Sequence, residues 1–198
     1  MEKRALRTWL MIAAAVVLVP SVLYALLHRP FPSDQTPEGA YMRTARSVGE
    51  DAPRSFFAYL ETDAQWACFT VHEMRMKASK RIEISYPEPQ RTELLAKYRE
   101  MAAATDGSEV FALLYRERGW ARRLRRDLSG VATVDVAGDR ASVVTTQGTR
   151  YPFRRRDNGI WGLTIFTAEL LADAEKATRD LAVVNAAADD YDRARGKK

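Results

Sequence analysis

The chain has 198 residues, a formal net charge of +5 and 46% hydrophobic residues, enough apolar material for a core and too much for wholesale disorder. Its single cysteine excludes an internal disulfide framework and any cysteine-rich zinc site. The basic residues are clustered, so the excess charge is a local property of particular segments.

Lys3, Arg4 and Arg7 precede a run from Trp9 to Leu27 that is apolar apart from Ser21. As a helix this run would rise roughly 28 Å, close to the thickness of a hydrocarbon core. Trp9 and Tyr24 stand toward its ends, where amphipathic rings prefer to lie, and the basic flank predicts a cytoplasmic N-terminus. The expected organisation is a tail over residues 1–8, a transmembrane anchor over 9–27, a Pro30- and Pro32-stiffened linker over 28–35 and an extracytoplasmic domain over 36–195. A cleaved signal peptide is the alternative, against which stand the length of the run and the absence of a small-x-small site after Leu27. Either way the expected location is the cytoplasmic (inner) membrane, with a single pass and the C-terminal domain on the periplasmic side.

Thr36-Pro37 reads as a helix start, with Thr as N-cap and Pro at the first helical position. Asp51-Ala52-Pro53 restarts a helix carrying Phe56, Phe57 and Leu60, and Asp63 is the expected cap of the next. Along that one Ala67, Val71, Met74, Ala78 and Ile82 recur on one face, until Pro87 and Pro89 break it. Leu94, Tyr98 and Met101 mark a further helix closed by Thr105-Asp106-Gly107. Val110, Phe111 and Leu114 mark another, ended at Gly119, and Trp120, Leu124 and Leu128 lead into a sheet. After that sheet, Thr167 to about Arg195 has no Gly or Pro and repeats apolar residues from Leu170 to Tyr191 at three and four, a long amphipathic helix.

Between these helices, Gly130 to Phe166 holds four short β-rich runs separated by Gly138-Asp139, Gly148 and Asp157-Asn158-Gly159. Asn-Gly between two such runs predicts a type I′ hairpin, with positive φ at both central residues. The expected fold is α+β: helices, then a four-stranded antiparallel meander, then the long helix. Alternation puts Tyr151, Phe153, Trp161, Leu163 and Ile165 on one face under a helical cover, and Arg150, Arg154 and Arg156 on the other. On the first strand it puts Asp135 with Val131 and Thr133, opposite Ala132, Val134 and Val136. Pro152 predicts an edge or a bulge at its strand.

No strong catalytic motif is present: no phosphate-binding glycine loop, no His-Glu-x-x-His, no Gly-x-Ser-x-Gly and no Cys-x-x-Cys. No catalytic residue, cofactor or metal is therefore assigned. Cys68 and His72, four apart on one helix, suit a nucleophile pair, or else a buried free thiol beside a half-buried imidazole. Asp135 is the best-placed carboxylate for acid–base work, followed by Asp63 and Glu73, unless it simply faces water. Arg116, Arg118, Arg122, Arg123, Arg125 and Arg126, with Arg150, Arg154, Arg155 and Arg156 on the sheet, suit a basic patch. The patch would meet anionic lipid headgroups, an acidic envelope protein or a polyanion, or be a solvated face partly neutralised by acids of the last helix. No aromatic-interleaved nucleic-acid motif accompanies it.

Helices followed by a curved meander carrying "Val134-Asp-Val-Ala-Gly-Asp-Arg-Ala-Ser-Val-Val" and "Asp157-Asn158-Gly159-Ile160-Trp161" resemble the NTF2-like (cystatin-like α+β) superfamily over residues 131–163. The extra helices before the sheet and the long helix after it depart from that pattern. The resemblance implies a sheet cupped against helices and functions ranging from isomerisation to pure protein binding. The layout is similar to that of membrane-anchored relatives, such as scaffold subunits of type IV secretion systems and accessory proteins of lipid-import systems. The expected role is non-catalytic binding or scaffolding in the envelope, with a small-molecule pocket between sheet and helices as the rival.

Overall fold

The computed structural model describes residues 31–196. The expected tail, anchor and start of the linker lie outside the described residues, among which no helix is long and apolar enough to cross a membrane. The folded unit begins at Ser33.

This unit is α+β. Six helices come first: α1 (Pro37–Gly49), α2 (Pro53–Phe57), α3 (Thr62–Ser85), α4 (Gln90–Ala103), α5 (Gly107–Glu117) and α6 (Trp120–Asp127). Thr36 caps α1 as its sequence predicts, its Oγ1 accepting from Gly39 N–H at 3.1 Å. Three boundaries differ from expectation. Helix α2 stops at Phe57, which leaves Leu60 beyond it in an isolated bridge to Leu163. The N-cap of α3 is Glu61, which leaves Asp63 inside the first turn. Asp106 opens α5 instead of closing α4: its Oδ1 accepts from Ser108 N–H at 2.8 Å and Glu109 N–H at 3.2 Å. The hydrogen bond from Ser108 holds the Asp106 carboxyl below the usual carboxylate range.

Strands β1 (Val131–Ala137), β2 (Arg140–Thr145), β3 (Arg150–Arg155) and β4 (Trp161–Leu163) form one antiparallel meander in sequence order, and α7 (Thr167–Gly196) comes after it. The β1–β2 link is a two-residue turn with Gly138 at φ 63°, as a type II′ turn requires. The β3–β4 turn is not type I′. Only Gly159 takes positive φ (83°), and its N–H donates to Arg156 O at 2.9 Å while Arg156 N–H donates to Ile160 O at 2.9 Å. That pattern is a three-residue loop with a left-handed glycine, which Asn-Gly serves equally well because the third position alone needs the glycine.

Alternation holds on β2 to β4 and fails on β1. The β1–β2 register shifts between Val131 and Thr133, so Val131 joins Val134 against the core instead of opposing it. Pro152 lies in an interior strand. Its carbonyl accepts from Thr164 N–H at 3.1 Å, but it has no N–H to return, and β4 ends one residue earlier at Leu163.

Helix α1 covers the inner sheet face, with the Tyr41 and Tyr151 rings 5.3 Å apart. Tyr151, Phe153, Trp161 and Leu163 are all buried in the main core with Phe56, Phe111, Trp120 and Phe166. These side chains pack the inner sheet face against the helices. A second, smaller core of Ala78, Ile82, Tyr86, Tyr98, Val184 and Ala188 joins the far ends of α3 and α7 to α4.

Candidate functional site

The junction of α5 and α6 concentrates positive charge for reasons visible in its local chemistry. Val110, Phe111 and Leu114 bury one face of α5, which leaves Arg116 and Glu117 outside. Gly119 turns the chain at φ 64°, a conformation that costs other residues more. Trp120 and Leu124 then anchor α6 in the core, and the Trp120 ring stacks on Phe166 at 4.1 Å. With those two positions buried, Arg122, Arg123, Arg125 and Arg126 face outward.

Those arginines differ in how they are compensated. Arg118 lies 5.3 Å above the Trp120 ring and meets Asp173 at 2.7 Å and Glu169 at 3.4 Å. Arg125 turns away to Asp51 at 3.1 Å and Val48 O at 3.3 Å. Arg126 pairs with Asp127 at 2.9 Å, a hydrogen bond that holds the Asp127 carboxyl below its usual range. Arg116, Arg122 and Arg123 have no carboxylate within 4.0 Å among the described residues. These three, with Arg118, Arg126 and Glu117, line a groove of about 500 Å³. Planar guanidinium forks suit phosphate and carboxylate oxygens.

The sheet arginines do not extend this groove. Arg150 stands 3.8 Å from Asp135, and Arg154 lies between Asp139 at 3.5 Å and Asp63 at 3.8 Å. Arg156 donates to Ala58 O at 2.8 Å. Arg154, Arg155 and Arg156 line a different cleft, which shares no lining residue with the groove. Of the ten arginines of the expected patch, five line the groove and three the cleft, while Arg125 and Arg150 line neither.

The pocket candidates do not converge. Cys68 is fully buried, and burial, with the charge of Asp173 adding to it, pushes its thiol up to about 12. A thiol held protonated is a poor nucleophile, and no hydrogen bond links it to half-buried His72. Asp135 is on the solvent side of edge strand β1, its side chain 71% exposed. Glu73 is exposed and pairs with Lys77 at 2.6 Å. No group of three His, Cys, Asp or Glu side chains among the described residues could hold a metal ion. One buried acid escapes sequence reading altogether: Glu61, which precedes Thr62-Asp63 and looks like an ordinary exposed residue at a helix start.

No protein-family model, curated protein or solved structure matches the chain.

Proposed function

We propose that this protein is a non-catalytic, membrane-anchored binding domain of the cell envelope, with the α5–α6 groove docking on anionic lipid headgroups. The observation that carries it is the trio Arg116, Arg122 and Arg123, which share a groove whose lining holds one acid, Glu117, and none of which has a carboxylate within 4.0 Å among the described residues. The groove lining has no aromatic or large aliphatic side chain. Protein interfaces centre on such anchors, whereas headgroup contacts need mainly charge. The apolar run over residues 9–27 and the short linker after it would keep the unit within reach of a bilayer surface. An NTF2-like relationship belongs to the same reading, supported by helices that precede a four-stranded antiparallel meander.

Photocrosslinking tests it. The full-length chain, reconstituted with photoactivatable phosphatidylglycerol, should be labelled within residues 116–126, and photoactivatable phosphatidylcholine should label that segment far less. Equal labelling by the two lipids would remove the electrostatic basis of the proposal. In whole envelopes, a crosslink from the groove to an acidic protein in place of lipid would replace the lipid reading with the protein one.

A further inference from the structure

The two edges of the sheet are finished differently. On the outer side of β4, Trp161 N–H donates to Asp34 O at 3.2 Å, Leu163 N–H donates to Tyr59 O at 2.7 Å, and Leu163 O accepts from Glu61 N–H at 3.2 Å. That edge is closed by the chain's own segments. On the outer side of β1, no strand is paired among the described residues. Strand β1 is nevertheless the longest of the four, with seven residues against six, six and three. It holds no Lys, Arg or Pro, and its one charged side chain, Asp135, faces Arg150 at 3.8 Å. Open strands ordinarily carry charges or prolines that keep other chains from pairing with them. The register shift between Val131 and Thr133 interrupts only its start.

The direction of the free backbone groups follows from the ladder. Thr145 N–H donates toward the β3 side, to Thr149 O at 2.9 Å, and Thr146 N–H toward the β1 side, to Gly130 O at 2.8 Å. Antiparallel strands alternate the direction of these groups, so Arg140, Ser142 and Val144 turn theirs toward β1. Their partners there are Ala137, Asp135 and Thr133. The N–H and C=O groups of Val134 and Val136 therefore aim at the open edge. Both side chains lie on the inner sheet face, where Val134 packs on the core and Val136 is 57% exposed.

We propose that β1 is a dimerisation edge, pairing antiparallel with β1 of a second copy of this chain about a two-fold axis at Val134. The segment Val131-Ala-Thr-Val-Asp-Val-Ala137 has the same order of apolar and polar residues from either end around Val134, which is what isologous pairing of a strand with its own copy needs. Centred there, Val134 meets Val134, Thr133 meets Asp135, and Val136 comes beside the small Ala132. No like charges are opposed, and each Thr133 hydroxyl can donate to an Asp135 carboxylate. Centred on Asp135, the pairing would set two carboxylates opposite one another, which is destabilising. Centred on Val136, it would set Val134 against Gly138, whose turn conformation at φ 63° ends the ladder. The described chain enters beside β4, at the opposite edge. The pairing does not rest on the lipid reading of the arginine groove.

The test uses the full-length chain purified in mild detergent. Sedimentation equilibrium should give a dimer of the 22.4 kDa chain. A strand-edge pair is a small interface, so the protein is taken to about 0.1 mM, where weak associations populate. Val136→Pro removes an outward N–H and leaves the β1–β2 hydrogen bonds in place. It should weaken the dimer by about tenfold or more while circular dichroism stays unchanged. Crosslinking decides the register even if that variant misfolds. Cys68 is fully buried, so an added cysteine is the reactive one. Thr133→Cys and Asp135→Cys proteins, mixed and mildly oxidised, should form a disulfide with each other, because directly opposed residues of a non-hydrogen-bonded pair lie about 4.5 Å apart. Each variant alone should crosslink far less. A chain that stays monomeric to about 0.1 mM, a dimer that a folded Val136→Pro leaves as tight, or Asp135→Cys crosslinking to itself as fast as to Thr133→Cys would overturn the proposal.

Discussion

Leu60 and Leu163 lie side by side in an isolated parallel bridge, with Leu163 N–H donating to Tyr59 O at 2.7 Å and Glu61 N–H to Leu163 O at 3.2 Å. The two longest helices among the described residues, α3 and α7, begin just beyond these residues and therefore leave in the same direction. Their contacts advance in step: Arg75 to Asp180 at 2.7 Å, Arg81 to Asp189 at 2.6 Å, Ser85 to Asp192 at 3.0 Å. The bridge thus sets the register of the helix pair and also fixes Glu61 at the cleft.

Gly162 is what permits that approach. A Cβ at this position would meet the Glu61 and Leu60 backbone at 2.5–2.8 Å, and backbone cannot rotate away as a side chain can. Gly162→Ala should destabilise the protein by about 1–3 kcal/mol through overpacking, measured by urea unfolding. A variant as stable as the parent would show that the bridge has room for a methyl group.

Trp161 fills the sheet face beside it. It is 4% exposed, and its Nε1–H donates to Gln35 O at 3.1 Å. Trp161→Ala should cost about 3–5 kcal/mol, as large aromatic truncations in cores do, which approaches the margin of many domains. Arg155→Ala on the same meander should change stability little. If Trp161→Ala kept its melting temperature yet lost binding, the residue would be lining a site.

The buried acids predict alkaline sensitivity. Burial raises the Cys68 thiol from 9.0 to about 12, and the Tyr115 and Tyr151 hydroxyls, which lack hydrogen-bond partners, from 10.0 to about 12. The folded state keeps these protons where the unfolded state has lost them. Stability is therefore unaffected below about pH 9 and falls as pH rises toward about 12. Urea midpoints should drop between about pH 8 and about pH 11. Native Cys68 should react with iodoacetamide far more slowly than the same residue in urea, and equal rates would contradict its burial.

Much of this architecture is legible in the sequence because local chemistry dictates it. Thr36-Pro37 starts a helix, Gly138 and Gly159 mark turns, and the apolar repeat from Leu170 to Ala188 identifies α7. What is illegible depends on contacts between distant segments. The shift between Val131 and Thr133 moves Val131 to the other face, and no composition signal announces it. The arginines of α6 and β3 look like one patch along the chain, but Arg122, Arg123 and Arg126 line one depression and Arg154 and Arg155 another. Glu61 is hidden for the same reason, since its burial comes from crossing Gly162, about a hundred residues later.

Whether Arg116, Arg122 and Arg123 hold the domain on an anionic bilayer surface is tested most directly by amide hydrogen exchange. The full-length chain would be placed in nanodiscs of phosphatidylglycerol and, separately, of phosphatidylcholine. Exchange over residues 116–126 should be slower in the anionic discs. That difference should shrink at about 1 M salt, where the screening length falls to about 3 Å. It should vanish in the triple variant Arg116→Gln, Arg122→Gln, Arg123→Gln. Identical exchange in the two discs, or a difference that survives the triple variant, would contradict docking through these arginines.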